Sequence, residues 1–479
     1  MKKISAKISH RLATMLMLPV VAISAFLVDM GTAEAIPAFA RQTSQPCTSC
    51  HSQHFPTLNS FGRMFKAQGY TMGGTQESVK GDGLDLPGVV NAAILANAAY
   101  VKSDGEKAIG FPAAVSLYFG GRIGENSGFI MEMPFEGAMD SAGGEVEAEG
   151  GAGFAQMGNL KWNSVFDFDG TNVGAHIYST SMAGPAYGYE LLSTGAMGMN
   201  VATTGQNAMG AIGLHMEHGA TMMGQFMSEE VVAAAFEKAG MTPMMASMMA
   251  ANMNMDMAGA ATGFGVTAQT SEYFVYYSPF IATQSLDHIE EPSFANYIRA
   301  AWTPTIAGWN MGMGVQLYRG SYEYMDGGTL VSMDANASTL DFQAQGEIAG
   351  MATGIYLSYA VAPKSDSMSQ MNVYNMAMDD DNTSFGMLVE MEVMRHLSGQ
   401  LGYVSADYAG MTMMEMTTST DMNGDSDTMD SFTARIKGTA ITVGLDYLLA
   451  PNKRLGFKYV KFGGDLDTTV SELNLIVGF

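Results

Sequence analysis

The sequence predicts an all-β transmembrane barrel of about 16 antiparallel strands, preceded by a small α-helical unit. Three observations predict it. Segments of about ten residues with alternating character recur along most of the chain, divided by glycine-, proline- or Asp/Asn-rich turns. Beyond the leader there is no run of eighteen apolar residues such as a membrane helix needs, which leaves a closed barrel as the way to span lipid. The chain also finishes on an alternating strand with a terminal aromatic, Phe479.

Residues 1–35 read as a bacterial export signal. Lys2, Lys3, Lys7 and Arg11 precede an apolar run from Leu12 to Val28, and Ala33-Glu34-Ala35 is a small-residue cleavage site. The formal net charge is −24, and the leader carries four basic against two acidic residues, so the mature chain is near −26. Such a surface excludes nucleic acid as a partner.

Residues 36–87 hold Cys47-Thr48-Ser49-Cys50-His51, which contains the only two cysteines. At this spacing two thiols add across the two vinyl groups of one haem while the next imidazole binds the iron. A redox dithiol would follow a strand in a βαβ pattern, whereas these flanks are polar and proline-marked. A zinc site lacks a second cysteine pair. The segment is therefore expected to be a monohaem c-type cytochrome domain with one covalently bound haem c, anchored by Cys47 and Cys50 with His51 as the proximal ligand. Haem attachment takes place outside the inner membrane, in agreement with the export signal, and committing both thiols leaves no disulfide.

The opposite axial ligand is open on sequence. His54 lies three residues after His51, on the same side of a helical turn, whereas Met64 and Met72 have better reach and rank slightly ahead of it, with an unligated position as the further alternative. Arg41, Arg63 and Lys66 are candidates to pair with haem propionates, and Phe55, Phe61, Phe65 and Tyr70 to pack the ring edge. Each fits ordinary domain surface or core equally well.

Residues 88–479 form the expected barrel. Strand-like segments are 111–119, 160–168, 263–278, 294–303, 309–318, 352–361, 385–394, 399–408, 439–449 and 453–462. Tyr273, Tyr276, Tyr277, Tyr297, Trp302, Trp309, Tyr318, Tyr356, Tyr359 and Tyr447 near their ends fit belts at two lipid interfaces. In the last segment Leu473, Leu475, Val477 and Phe479 share one face; Glu472, Asn474 and Gly478 share the other, with Ile476 as the exception. Such an ending resembles the signal by which outer-membrane barrels are recognised for insertion.

Long acidic insertions, Glu132 to Glu149, Asp379-Asp380-Asp381 and Asp421 to Asp430, are expected on the external side, because such barrels have short periplasmic turns and long outer loops. Any one of them reads first as a solvated loop; together they would concentrate cations at the mouth. Residues 228–257 read as a helical excursion whose methionines pack together. His215 and His218 form a lone HxxH, too weak to assign a metal.

The segment Ala38-Phe39-Ala40-Arg41-Gln42-Thr43, the CxxCH motif, His54-Phe55-Pro56, Leu58-Asn59, Phe61-Gly62-Arg63, Phe65-Lys66 and Gly69-Tyr70 resembles the outer-membrane fused cytochrome-porin iron oxidases of iron-oxidising bacteria. The detailed match covers residues 37 to about 72; the barrel matches in size, pattern and ending. The resemblance implies oxidation of ferrous iron at the cell surface, with the electron passing through one haem to a periplasmic c-type cytochrome. No catalytic acid, base or nucleophile is expected, since one-electron transfer needs none. A unit of some fifty residues is too small for an adequate core of its own, so the haem domain is expected to lean on the barrel lumen. Two other readings stand beside this one: a porin whose cytochrome is a plug, and a conduit carrying electrons outward.

Overall fold

The computed structural model describes residues 37–55, 57–88, 90–103, 106–134, 158–180, 184–194, 260–284, 286, 289–326, 328–417, 428–465 and 467–479, with Glu237, Thr242 and Met244. The leader, the HxxH pair, most of the 228–257 segment and the greater part of two acidic insertions lie outside them.

Sixteen strands of eight residues or more close into one antiparallel barrel. In chain order they are β1 Ala92–Ser103, β2 Glu106–Arg122, β3 Ser127–Pro134, β4 Asn159–Phe168, β5 Thr171–Thr180, β6 Ala261–Gln269, β7 Tyr273–Ile281, β8 Ala295–Trp302, β9 Trp309–Arg319, β10 Ala337–Ile348, β11 Met351–Ala362, β12 Asn382–Met394, β13 Leu397–Thr417, β14 Thr428–Ala450, β15 Lys453–Gly464 and β16 Thr469–Gly478. Closure pairs β16 with β1, Leu473 opposite Tyr100, and Ile94 and Phe479 exchange both backbone hydrogen bonds beside it. The expected single segment 263–278 is two strands, because Thr270–Glu272 turn the chain: the Thr270 amide donates to the Tyr273 carbonyl at 2.8 Å.

The two ends differ. One gathers short turns, among them Asp169-Gly170 and Ala349-Gly350, in which both residues have positive φ, as a two-residue hairpin of matching twist requires. The other carries the long connections, including a three-stranded outer sheet of Ile289–Ser293, Ser321–Asp326 and Thr329–Asp334.

Polarity is inside out. Residues facing outward and exposed are Trp162, Ile177, Phe264, Leu340, Phe385, Leu401, Val443 and Leu473; residues facing inward and buried are Asn163, His176, Arg299, Gln316, Gln343, Glu390, Gln400 and Lys458. A water-soluble barrel would reverse this, so the alternation makes the outer wall apolar and the lumen polar. Phe168, Tyr273 and Trp302 project outward at the short-turn end, and Phe264, Tyr359 and Phe385 at the other, forming two aromatic girdles. Tyr276, Tyr297, Tyr318 and Tyr356, expected in these belts, instead face the lumen and are buried, because strand parity sends them inward. The same parity turns Ile476 inward beside Asn474.

Among the described residues, two segments enter the lumen. The first comprises helices α1 Pro37–Thr43, α2 Cys47–Cys50 and α3 Ser60–Ala67, followed by an exposed hairpin of Ser78–Gly81 and Leu84–Pro87. The second, 184–194, begins with a 3₁₀ turn at Pro185–Gly188 and lies against the inner wall of β5 to β10. There Glu190 accepts from Arg299 Nε at 2.8 Å, and Arg299 Nη1 donates to Asp341 at 2.6 Å.

Candidate haem site in the barrel lumen

α2 is a single turn, and its backbone explains how the motif is presented. Pro46 enters in an extended conformation, the His51 amide donates to the Cys47 carbonyl at 3.0 Å, and His51 then turns extended (φ −109°, ψ 141°). His51 bridges Leu58 across a tight loop closed by the Ser52 amide on the Thr57 carbonyl at 2.8 Å. Both cysteines are free of disulfide, Cys47 buried and Cys50 half-buried. Burial pushes the Cys50 thiol up, the opposite of the lowered thiol that a redox dithiol needs.

α3 is clamped onto this turn. Asn59 caps it, accepting from the Gly62 amide at 3.0 Å while its own amide nitrogen donates to the Ser49 carbonyl at 3.0 Å. Gly62 faces α2 so closely that a β-carbon there would stand 2.2 Å from the Cys50 carbonyl oxygen, so only glycine fits. Two thiols outside any disulfide on one turn, a histidine immediately after, and a helix packed against them fit a c-type haem. When bound, that group supplies a one-electron couple; the chain supplies its attachment and its placement.

The remaining predicted residues divide between the site and the wall. Met64 is exposed on α3, and Met72 is partly buried, its carbonyl accepting from Gln42 at 2.8 Å. His54 is turned to the wall. Its Nε2 lies 3.3 Å from Glu390 and its Nδ1 2.9 Å from the Phe55 carbonyl, with Arg454 Nη1 at 3.1 Å. Burial disfavours the imidazolium, but the carboxylates of Glu390 and then Asp446 outweigh it and hold His54 above its ordinary pKa. His54 is thus occupied as a wall anchor, whereas the Met64 and Met72 side chains have no such role at the wall among the described contacts.

Arg63 likewise reaches the wall, donating to Gln345 at 2.7 Å and to the Leu58 carbonyl at 3.2 Å, and Arg41 donates to the Ala92 carbonyl at the start of β1. Both guanidiniums serve the plug's docking. Lys66 sits on the partly buried face of α3. Phe65 and Tyr70 pack with Phe39, at ring separations of 5.2 Å for Phe39–Phe65 and 4.8 Å for Phe39–Tyr70, while Phe55 lies under the Arg454 guanidinium; Phe61 is outside this cluster.

Sequence reasoning missed the wall residues Gln345, Glu390, Gln400, Asp446 and Arg454. Their signal was available: each is a polar or charged side chain in a membrane strand at lumen-facing parity. All five stand within four residues of a short-turn strand end, so the plug occupies that end of the barrel. A buried ionic set of this kind holds its parts in one geometry, since removing either partner strands a charge.

No family model matches the chain, and no curated protein matches it. Among solved structures it is similar to OmpT, an outer membrane protein of Vibrio cholerae, at 9% identity and a TM-score of 0.40, over 84% of this chain and 100% of that one. It is also similar to a mutant of the Rh. blastica porin, at 11% identity and a TM-score of 0.39, over 82% of this chain and 100% of that one. At this level no functional residue carries across.

Proposed function

We propose that the protein is an outer-membrane iron oxidase, which takes electrons from ferrous iron outside the cell and delivers them through one covalent haem c to a periplasmic c-type cytochrome. The observation that carries this reading is the position of the CxxCH turn. It sits in the lumen at the short-turn end, clamped by Asn59 and Gly62 and docked to five wall residues. An apolar outer wall between two aromatic girdles supports membrane insertion, and barrels of this kind place their short turns in the periplasm, where a soluble acceptor would meet the haem segment.

Filling of the lumen from two directions, by the plug and by 184–194, favours a redox conduit over an open porin. Two measurements test this. The mature protein, purified in the oxidised state and mixed anaerobically with ferrous salt, is expected to show the absorption bands of reduced haem; a colourless protein, or bands that do not change, would end the reading. In planar bilayers the parent protein is expected to pass little current, and a porin-like open conductance would favour the plugged-porin alternative.

A further inference from the structure

The placement of the plug creates a distance problem. The haem segment lies at the short-turn end, while ferrous iron would arrive at the end with the long connections. Lumen-facing aromatic rings join the two.

Starting in the plug, Phe65 and Phe39 pack on Tyr70. Lys161 joins the plug to the inward segment, its Nζ 5.5 Å from the Tyr70 ring and 4.8 Å from the ring of Tyr187, two residues before Tyr189. From Tyr189 the ring separations are 5.9 Å to Tyr276, 5.9 Å on to Tyr297, 4.8 Å to Tyr318 and 5.0 Å to Tyr374. Tyr374 lies in the 363–381 connection, which meets the outer sheet where the Val373 amide donates to the Asp334 carbonyl at 2.8 Å, and in that sheet Tyr322 stacks on Tyr324 at 6.3 Å. Tyr276, Tyr297 and Tyr318 are fully buried, so these rings touch one another and not a water-filled channel.

Resting on the proposed function, we infer that this tyrosine column is the path by which the electron crosses the barrel. One ferrous ion at the long-connection end becomes ferric, the haem iron in the plug gains its electron, and no ring changes oxidation state. The hydrogen bonds explain why the rings act as neutral bridges. Tyr297 and Tyr318 both donate to the amide oxygen of Gln316, at 3.0 and 3.1 Å, and an amide is no base for a phenolic proton. Ring contact, and not the hydroxyl, is what the column supplies.

The test compares two double variants of the full-length haem-loaded protein, Tyr297→Phe/Tyr318→Phe and Tyr297→Leu/Tyr318→Leu, with Tyr374→Leu as a third variant outside the barrel wall. Electrons are injected by flash from a ruthenium complex attached at Ser332→His in the outer sheet, and haem reduction is followed by its bands. The phenylalanine pair is expected to keep the parent rate; the leucine pair and Tyr374→Leu are expected to lose most of it. A leucine pair and a Tyr374→Leu variant as fast as the parent would overturn the column as the path. Equal loss in the phenylalanine and leucine pairs would overturn the neutral bridge. Reduction of the haem by ferrous salt, measured on the same samples, separates these outcomes from failure of the iron-oxidase reading.

Discussion

The two segments that enter the lumen are held by opposite means. The plug, 37–75, spreads its attachments around the wall through single side chains: Arg41 at β1, Arg63 at β10, His54 among β12 to β15. The inward segment concentrates its hold in one fully buried triad, Glu190, Arg299 and Asp341, reinforced by the Ser193 amide on Gln343 and Thr194 on Asp341. Distributed anchoring tolerates loss of any one contact. Concentrated anchoring makes one residue decisive.

Arg299→Met is therefore expected to be the most damaging single change. It strands two carboxylates in the lumen, and breaking a buried ion pair costs about 3–5 kcal/mol. Burial already pushes the Glu190 carboxyl up against the pull of Arg299, so in the variant Glu190 takes up a proton and its share of the loss shrinks toward acid pH. Urea unfolding in detergent micelles measures the loss. An unfolding midpoint equal to the parent at neutral pH would show that the triad is not what holds 184–194, and the comparison with the plug would fall.

The plug contact of largest effect is His54. His54→Leu leaves Glu390 and Arg454 each short of a partner, and leaving buried polar groups unsatisfied costs about 1–3 kcal/mol. The axial signature of the haem is expected to be the parent's, because both ring nitrogens are engaged at the wall. Resonance Raman and absorption spectra of the purified variant decide this. A change from six- to five-coordinate iron would make His54 the opposite ligand and would mean that the plug rearranges around the haem.

How much of this could be read in the residues divides along the same line. The alternation of strands and the C-terminal Phe479 are local patterns, and the closed barrel with its sixteen strands answers to them; the spacing of Cys47, Cys50 and His51 is equally local. Strands such as β5 and β10 went unread because polar side chains at their lumen-facing positions, His176 or Gln343 for example, break the apolar signature of a soluble sheet. The roles of His54 and Arg63 were illegible for a different reason: their partners Glu390 and Gln345 lie about three hundred residues away in sequence. Tyr276 and Tyr297 were misplaced to the lipid face because aromatic type alone cannot give parity; the register of β7 against β8 does.

The rim of the barrel gives the weakest and most conditional contact. Arg435 on β14 forks onto Asp379 with hydrogen bonds of 2.8 and 2.9 Å, tying down the 363–381 connection. Those hydrogen bonds hold the Asp379 carboxyl below its ordinary 3.8 against a partial burial that would raise it. A depressed carboxylate stabilises the fold above its unfolded pKa, and that stability is lost as the pH falls through the folded value. Asp379 remains 36% exposed, so solvent screening limits the pair to less than about 1 kcal/mol. Arg435→Gln is expected to speed hydrogen exchange in 363–381 slightly at neutral pH, with the difference from the parent shrinking as the pH falls from 3.8 through the lower folded value. A difference that does not change with pH would assign the effect to Arg435's bonds to the Asp380 and Asp381 carbonyls, which do not titrate.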